Sequence, residues 1–144
     1  MTALLDINVL IALAWPNHVH HAAARKWFSG RSQSGWATCL LTEAGFVRVS
    51  CNPRAVQHEV TPNAAIDLLE RLKREGSHSF WPLDQPVGSL PGEIVARLQG
   101  YRQITDAVLV ATVMHKGGEL ATLDARLAGL IPGNGRRIVS VIPI

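Results

Sequence analysis

Four acidic side chains stand beside or inside apolar segments of this sequence, where an unpaired charge is costly. Asp6 ends one apolar run and Asp106 opens another, whereas Glu43 lies inside a third and Asp124 follows a fourth. Four charges of one sign, spread along the chain, predict a single carboxylate pocket around a hard cation. Mg²⁺, with Mn²⁺ as a substitute, is the ion that suits such oxygen ligands.

A pocket of this kind has a defined chemistry. Clustered carboxylates repel one another, and a divalent ion relieves the repulsion. The ion also lowers the pKa of a bound water and neutralises charge on a leaving oxygen, so the pattern favours phosphodiester hydrolysis. Each acid has an ordinary explanation as well: Asp6 and Asp106 as helix N-caps, Asp124 as a turn residue and Glu43 as a solvent-facing side chain. The metal-site interpretation therefore depends on the four acids together.

The overall charge suits a nucleic-acid substrate. The 144 residues include 14 Lys and Arg against 11 Asp and Glu, with a formal net charge of +3. An acidic pocket in a basic body fits a phosphate polyanion held around metal ions. Arg136, Arg137, His18 and His21 are candidate RNA contacts, although a solvated basic surface explains the same residues.

No segment of the sequence indicates export or a membrane span. The start lacks a basic segment, and no apolar run approaches the roughly 20 residues that cross a bilayer. Cys39 and Cys51 lack the spacing of a metal or redox motif. We therefore expect reduced thiols and a cytoplasmic location.

Strand and helix patterns alternate along the chain. We predict strands at residues 2–5, 36–39, 79–81, 119–122 and 137–141, and helices at residues 7–14, 18–28, 41–51, 62–75, 91–98 and 106–116. Thr105 is the predicted cap of the last helix. This alternation is typical of a single α/β domain, residues 1–144, with a central parallel β-sheet flanked by helices. Ligands of such sheets bind beyond the carboxyl ends of the strands, where Asp6 and Asp124 are expected.

The acidic segments also resemble a known family, the PIN-domain ribonucleases. The segments similar to those around the family's four acids are, in order, Leu4-Leu5-Asp6-Ile7-Asn8, Leu41-Thr42-Glu43-Ala44, Ile104-Thr105-Asp106-Ala107 and Ala121-Thr122-Leu123-Asp124. Their order and spacing cover essentially the whole chain. The segment Ala14-Trp15-Pro16-Asn17-His18, followed by Trp27-Phe28, further resembles VapC toxins of bacterial VapBC toxin–antitoxin pairs.

The resemblance implies a PIN-like fold and a Mg²⁺-dependent endoribonuclease that cuts structured RNA, with tRNA as the expected substrate, and so inhibits translation. It also implies a homodimer and a cognate VapB-type antitoxin that blocks the site. Carried onto this sequence, the resemblance assigns catalysis and metal binding, directly or through water, to the four acids Asp6, Glu43, Asp106 and Asp124. It assigns the orientation of these acids to Asn8 and Thr122. Some relatives carry a further acid near the third or fourth carboxylate. This chain has none there and has Arg126 instead, which favours one tightly bound ion, with a second arriving with substrate.

Two other functions fit parts of the pattern. A metal-dependent phosphatase of the haloacid-dehalogenase type also begins with an aspartate after a strand, as a nucleophile. That chemistry needs a general acid two residues later, where this chain has Asn8. A non-catalytic module that binds RNA or protein through a PIN-like fold would not need all four acids.

Histidine and tryptophan residues near the first helix allow a further interpretation. His18, His20 and His21 could suggest zinc, but no cysteine lies nearby, and RNA contact or a helix surface explains them better. Trp15 and Trp27 are expected in the core or in a dimer interface rather than stacked on bases.

Overall fold

Five parallel strands form one sheet at the centre of the computed structural model, which describes residues 1–133 and 137–144. The strands are β1 (Ala3–Leu5), β2 (Trp36–Cys39), β3 (His78–Trp81), β4 (Glu119–Thr122) and β5 (Val139–Val141). Their order is β3-β2-β1-β4-β5. The chain leaves β1 toward β2 and later returns to β4 on the other side of β1. In such sheets, ligands bind where the order reverses, here at the carboxyl ends of β1 and β4.

Helices cover both faces of the sheet. They are α1 (Ile7–Ala14), α2 (His21–Arg31), α3 (Leu40–Ser50), α4 (Pro53–Val56), α5 (Pro62–Leu72), α6 (Gly92–Val95) and α7 (Ile104–Lys116). Short 3-10 helices occupy Ser32–Ser34, Val87–Ser89, Tyr101–Gln103 and Ala125–Leu130. The predicted α/β fold with a parallel central sheet is confirmed.

Alternate residues of each buried strand face two separate core layers. On one face, Ala3 and Leu5 pack with apolar side chains of α1, α2, α3 and α5. On the other face, Leu4 and Leu120 pack with side chains of α6, α7 and the 3-10 helix Ala125–Leu130. Because side chains alternate along a strand, three residues of β1 are enough to contact both layers.

Two helices, α2 and α7, begin two or more residues away from the starts that the sequence patterns predict. The predicted helix at residues 18–28 is α2, which starts at His21, because the His18 ring accepts a hydrogen bond from the His20 amide and so stabilises a turn. The predicted cap at Thr105 is wrong. Helix α7 begins at Ile104, and the residue in its N-cap position, Gln103, makes no capping hydrogen bond through its side chain. Asp106 is therefore in the first helical turn, and its interpretation as an N-cap is also wrong.

The apolar content of the chain is spread over short helices. None of the helices in residues 1–133 and 137–144 is both long and apolar enough to cross a bilayer. The buried residues instead belong to the two layers that enclose the sheet.

Candidate active site

Asp6 lies between the end of β1 and the start of α1 and is only 6% exposed. Its Oδ1 accepts a hydrogen bond from the Ile7 amide at 2.7 Å, which caps α1. Its Oδ2 accepts one from the Thr122 hydroxyl at 2.7 Å. Burial raises the pKa of Asp6 above its ordinary value, because the charged form loses water, and the Thr122 hydrogen bond opposes that change.

Asn8 and Thr122 join the carboxyl end of β1 to that of β4. The Asn8 amide donates to Thr122 Oγ1 at 3.2 Å, and its carbonyl accepts from the Leu123 amide at 3.1 Å. Thr122 Oγ1 also accepts from the Asp124 amide at 3.0 Å. One hydroxyl therefore links Asp6 to the backbone of Asp124, so the two acids keep a fixed relation across the crevice.

Asp106 and Asp124 complete a group of three aspartates at this edge. Desolvation, followed by the charges of Asp6 and Asp124, raises the pKa of Asp106 to about 6. Asp124 behaves in the opposite way: Arg126 donates to both of its carboxylate oxygens and lowers the pKa of Asp124. The Arg126 backbone amide also donates a hydrogen bond to Asp124 Oδ1 at 2.9 Å. We call Asp6, Asp106 and Asp124 the aspartate trio.

Glu43, in the first turn of α3, is held by other partners. Lys73, directly after α5, places its Nζ 3.0 Å from Glu43 Oε1 and 3.4 Å from Oε2. The Thr38 hydroxyl of β2 donates to Oε2 at 3.0 Å. These partners belong to β2 and the end of α5, whereas the partners of Asp6 belong to α1 and β4. The structure thus pairs Glu43 with a lysine and leaves the three aspartates as the group whose charges act on one another.

The donor atoms at this edge suit a divalent cation. All three members of the trio offer carboxylate oxygens, and among the hydrogen bonds of the described residues none involves the Asp106 carboxylate. Within residues 1–133 and 137–144, however, no three His, Cys, Asp or Glu side chains lie close enough to hold one ion together. A divalent ion here would take one or two of these carboxylates and fill its other positions with water, which is a common arrangement for Mg²⁺.

Comparison with known proteins identifies the family. The family profile described as "PIN domain" matches residues 3–130. Ribonuclease VapC39 of Mycobacterium tuberculosis is 52% identical over 130 residues, which is 89% of this chain and 92% of that protein. Ribonuclease VapC38 of the same organism is 42% identical over 142 residues, or 99% of each. This chain belongs to the VapC family of PIN-domain proteins.

Solved structures agree with the VapC fold. The Rickettsia felis VapBC2 structure, bound to a DNA fragment from its promoter, matches with a TM-score of 0.68 at 12% identity and covers 99% of this chain and 100% of that one. The Mycobacterium tuberculosis VapC20 structure, described as a sarcin-ricin loop cleaving toxin, matches with a TM-score of 0.65 at 12% identity and covers 88% and 92%. At such low identity, these matches concern the fold.

The candidate RNA contacts that the structure of this VapC chain describes, His18, His21 and Arg137, belong to other segments than the trio. His21 bonds through Nδ1 to the Ala12 carbonyl, six residues beyond Asp6 along α1, and His18 belongs to the turn before α2. Arg137 lies two residues before β5, at the amino edge of the parallel sheet. Arg136 lies outside the described residues. RNA contact at these positions stays a prediction.

Two basic residues beside the acids were not assigned to the site from the sequence. Arg126 was noted only as a departure from the family, yet it is the direct partner of Asp124. Lys73 has no local sequence signal of a role in the site, yet its side chain is only 18% exposed and contacts Glu43. A basic residue two positions after the fourth acid is a usable local signal. Glu43 and Lys73 are 30 positions apart, and nothing in the segment between them indicates their contact.

An apolar groove of about 330 Å³ lies between residues 82–91 and the outer face of α7. The side chains along it include Leu83, Val87 and Met114, and none of the four predicted acids lines it. The apolar groove and the four predicted acids therefore occupy different surfaces.

Proposed function

We propose that this chain is a Mg²⁺-dependent endoribonuclease and the toxin of a type II toxin–antitoxin pair. The observation that carries the proposal is the aspartate trio, whose members come from segments up to 118 residues apart and yet act on one another's charge. Asp124 is paired with Arg126, but Asp6 and Asp106 add two further carboxylates at the ligand-binding edge of the parallel sheet, and a bound cation would relieve their cost. The names of its VapC relatives support cleavage of RNA as the reaction.

The side chains of the trio would hold the ion in different ways. Asp6 is fixed by Ile7 and Thr122, so one carboxylate has a set orientation. The oxygens of Asp106 are open to an ion or to its water shell. When bound, Mg²⁺ lowers the pKa of a coordinated water and stabilises the charge that develops on the leaving oxygen. Mn²⁺ offers similar chemistry and is expected to replace it.

The substrate we propose is structured RNA, with tRNA as the first candidate. The Arg126 side chain is 85% exposed beside Asp124, so its guanidinium is available to a backbone phosphate. Cleavage of tRNA would stop translation, which is the expected action of the toxin. The solved relative VapC20 is described as cleaving the sarcin-ricin loop, which is also structured RNA.

The partners we propose are a second copy of this chain and a VapB-type antitoxin. Solved relatives include VapBC2 of Rickettsia felis and a toxin–antitoxin complex from Klebsiella pneumoniae, which matches with a TM-score of 0.57 at 19% identity. An antitoxin that covers the trio with a basic side chain would neutralise the same charges as the ion.

A phosphatase of the haloacid-dehalogenase type is not favoured by the site. Its general acid would have to be Asn8, but both ends of that amide are engaged by Thr122 and Leu123. An amide also has no proton to transfer at neutral pH.

Cleavage of total bacterial RNA by the antitoxin-free protein tests the proposal. We expect discrete products with Mg²⁺ and none with EDTA. Replacement of Asp6 by Ala should reduce the cleavage rate roughly 100-fold or more, because it removes an oriented carboxylate from the site. Asp67→Ala is the matched control, because Asp67 is an exposed aspartate on α5, and it should cleave normally. Mapping the new ends identifies the RNA.

Two outcomes would contradict the proposal. Equal cleavage by the wild type and by a folded Asp6→Ala protein would remove the trio from the reaction. RNA binding without cleavage at any Mg²⁺ concentration would instead favour the non-catalytic binding module.

A further inference from the structure

Glu43 is held in a polar network that joins α3 to β2, β3 and the end of α5. Thr38 has one hydroxyl proton and donates it to Glu43 Oε2. His78 Nε2 lies 2.8 Å from the same hydroxyl oxygen, so it must be the donor of that second hydrogen bond. With Lys73 on Oε1, both carboxylate oxygens are engaged by residues from β2 and the end of α5, and His78 of β3 contacts Thr38 behind them.

The lysine in this network is poorly solvated. Its side chain is 18% exposed, and that of Glu43 is 15% exposed. Water and salt screen such a pair less than a surface ion pair. Lys73 also contacts Glu70 at 2.9 Å, so one ammonium serves two carboxylates and is anchored from the neighbouring helical turn. A divalent cation that recruits Glu43 must therefore compete with a fixed ammonium.

We propose that Lys73 is a positioning residue that holds Glu43 away from the ion bound by the aspartate trio. Glu43 then joins the metal site only when the ammonium leaves it. The inference rests on the proposed metal-dependent function and adds a specific role for one residue. It also explains why the acid that the family resemblance assigns to the metal site is found in an ion pair with Lys73.

Mn²⁺ binding to the intact chain without RNA tests this role. Free Mn²⁺ is measured by electron paramagnetic resonance for the wild type, Lys73→Met, Glu43→Gln and the double variant. We expect Lys73→Met to lower the Kd roughly tenfold, because Glu43 becomes free to join the ion. Glu43→Gln alone should change the Kd little. In the double variant the gain should vanish, because its origin is removed.

The double variant separates this role from a general effect of charge. If Lys73 acted only through its positive field, its removal would tighten Mn²⁺ binding equally with or without Glu43. Lys73→Arg should behave like the wild type, since it keeps the charge and the hydrogen bonds. Glu70→Gln, which removes the other partner of Lys73, should give no gain. Additive effects of the two substitutions, or weaker Mn²⁺ binding in Lys73→Met, would overturn the proposal.

Separate controls test whether each variant folds and whether the proposed metal site exists. Lys73→Met leaves Glu43 with Thr38 as its donor, and circular dichroism and thermal unfolding check that it still folds. Lys73→Gln keeps an NH₂ donor group without the charge and should also tighten Mn²⁺ binding. Asp6→Asn should weaken binding in every background. If Asp6→Asn has no effect, or no protein binds Mn²⁺, the metal site itself is wrong and the role of Lys73 falls with it. If Asp6→Asn weakens binding and Lys73→Met does not tighten it, the role of Lys73 alone is wrong.

Discussion

The three aspartates of the trio carry the same functional group, but their surroundings shift its pKa in different directions. Burial raises the pKa of Asp6, and the Arg126 guanidinium lowers that of Asp124. Asp106 has an open carboxylate whose pKa rises to about 6, because burial and the other two charges disfavour ionisation. At neutral pH, the Asp106 charge is therefore the one whose cost a cation would relieve most directly.

We predict that Asp106→Asn stabilises the metal-free protein at pH 7.5 by about 1 kcal/mol. The native pKa is about 6, above the ordinary 3.8, so the native state binds more protons than the unfolded state between these values. The stability due to Asp106 is then highest below pH 4 and falls as pH rises through 6. The full effect would be about 3 kcal/mol, which solvent screening at a half-buried carboxylate reduces.

Urea unfolding in EDTA at pH 7.5 and pH 4 measures this effect. The gain should be present at the higher pH and absent at the lower one. Asp67→Asn, on the exposed face of α5, should be neutral at both. A gain of equal size at pH 4 would show that packing, rather than charge, is responsible.

At the scale of elements, the acids depend on how closely α1 and α3 approach. Gly45 faces Ile7, and a Cβ at Gly45 would lie 2.2 Å from Ile7 Cδ1 and 2.7 Å from Cγ1. Ile7 directly follows Asp6, and Gly45 is two residues after Glu43. The missing side chain thus allows the first turn of α1 to lie against the second turn of α3.

We predict that Gly45→Ala destabilises the protein by about 1 kcal/mol, because the overpacking cost exceeds the helix-propensity gain of alanine. It should also slow RNA cleavage, since the Ile7 side chain beside Asp6, or one of the two helices, must shift. Gly30→Ala is the matched control: Gly30 lies in α2 with nothing within 4 Å of its Cβ position, and it should gain about 0.5 kcal/mol. Thermal unfolding compares the two, and equal stabilisation by both would mean that the close approach is not needed.

At the scale of the whole molecule, the parallel sheet separates the basic residues by edge. Arg126 lies beside the trio at the carboxyl ends of the strands, whereas Arg137 precedes β5 at the amino edge. A strand rises about 3.3 Å per residue, so the two edges are roughly 10 Å apart across a three-residue strand. An RNA that contacts both arginines must extend over the sheet rather than sit only at the trio.

We predict that Arg126→Gln weakens RNA binding and lowers the salt dependence by about one phosphate contact. The measurement is the RNA Kd at several salt concentrations, in EDTA so that no cleavage occurs. Arg137→Gln has the same net charge and should leave the slope unchanged if the RNA is confined to the carboxyl edge. An equal decrease for Arg137 would support its interpretation from the sequence as an RNA contact, and would show that the RNA extends over the sheet.

Features that depend on neighbours along the chain were predictable from the sequence. Short buried strands alternate with helices, so the parallel α/β fold followed from periodicity, and Asp6 was recognisable as the first residue before α1. The four acids were visible because charges rarely interrupt apolar segments. Boundaries were less predictable: the turn stabilised by His18 and the early start of α7 depend on single hydrogen bonds and on packing.

Only the tertiary structure decided which partner each acid has. Asn8 and Thr122 are 114 residues apart, and Glu43 and Lys73 are 30 apart. No periodicity or spacing specifies such pairs, because they form only after the sheet brings distant segments to one edge. The parallel arrangement of β4 and β5 also places Arg137 and Asp124 at opposite edges of the sheet, although both residues lie near the end of the chain. The sequence determined which groups could do the chemistry, and the order of the strands determined which of them meet.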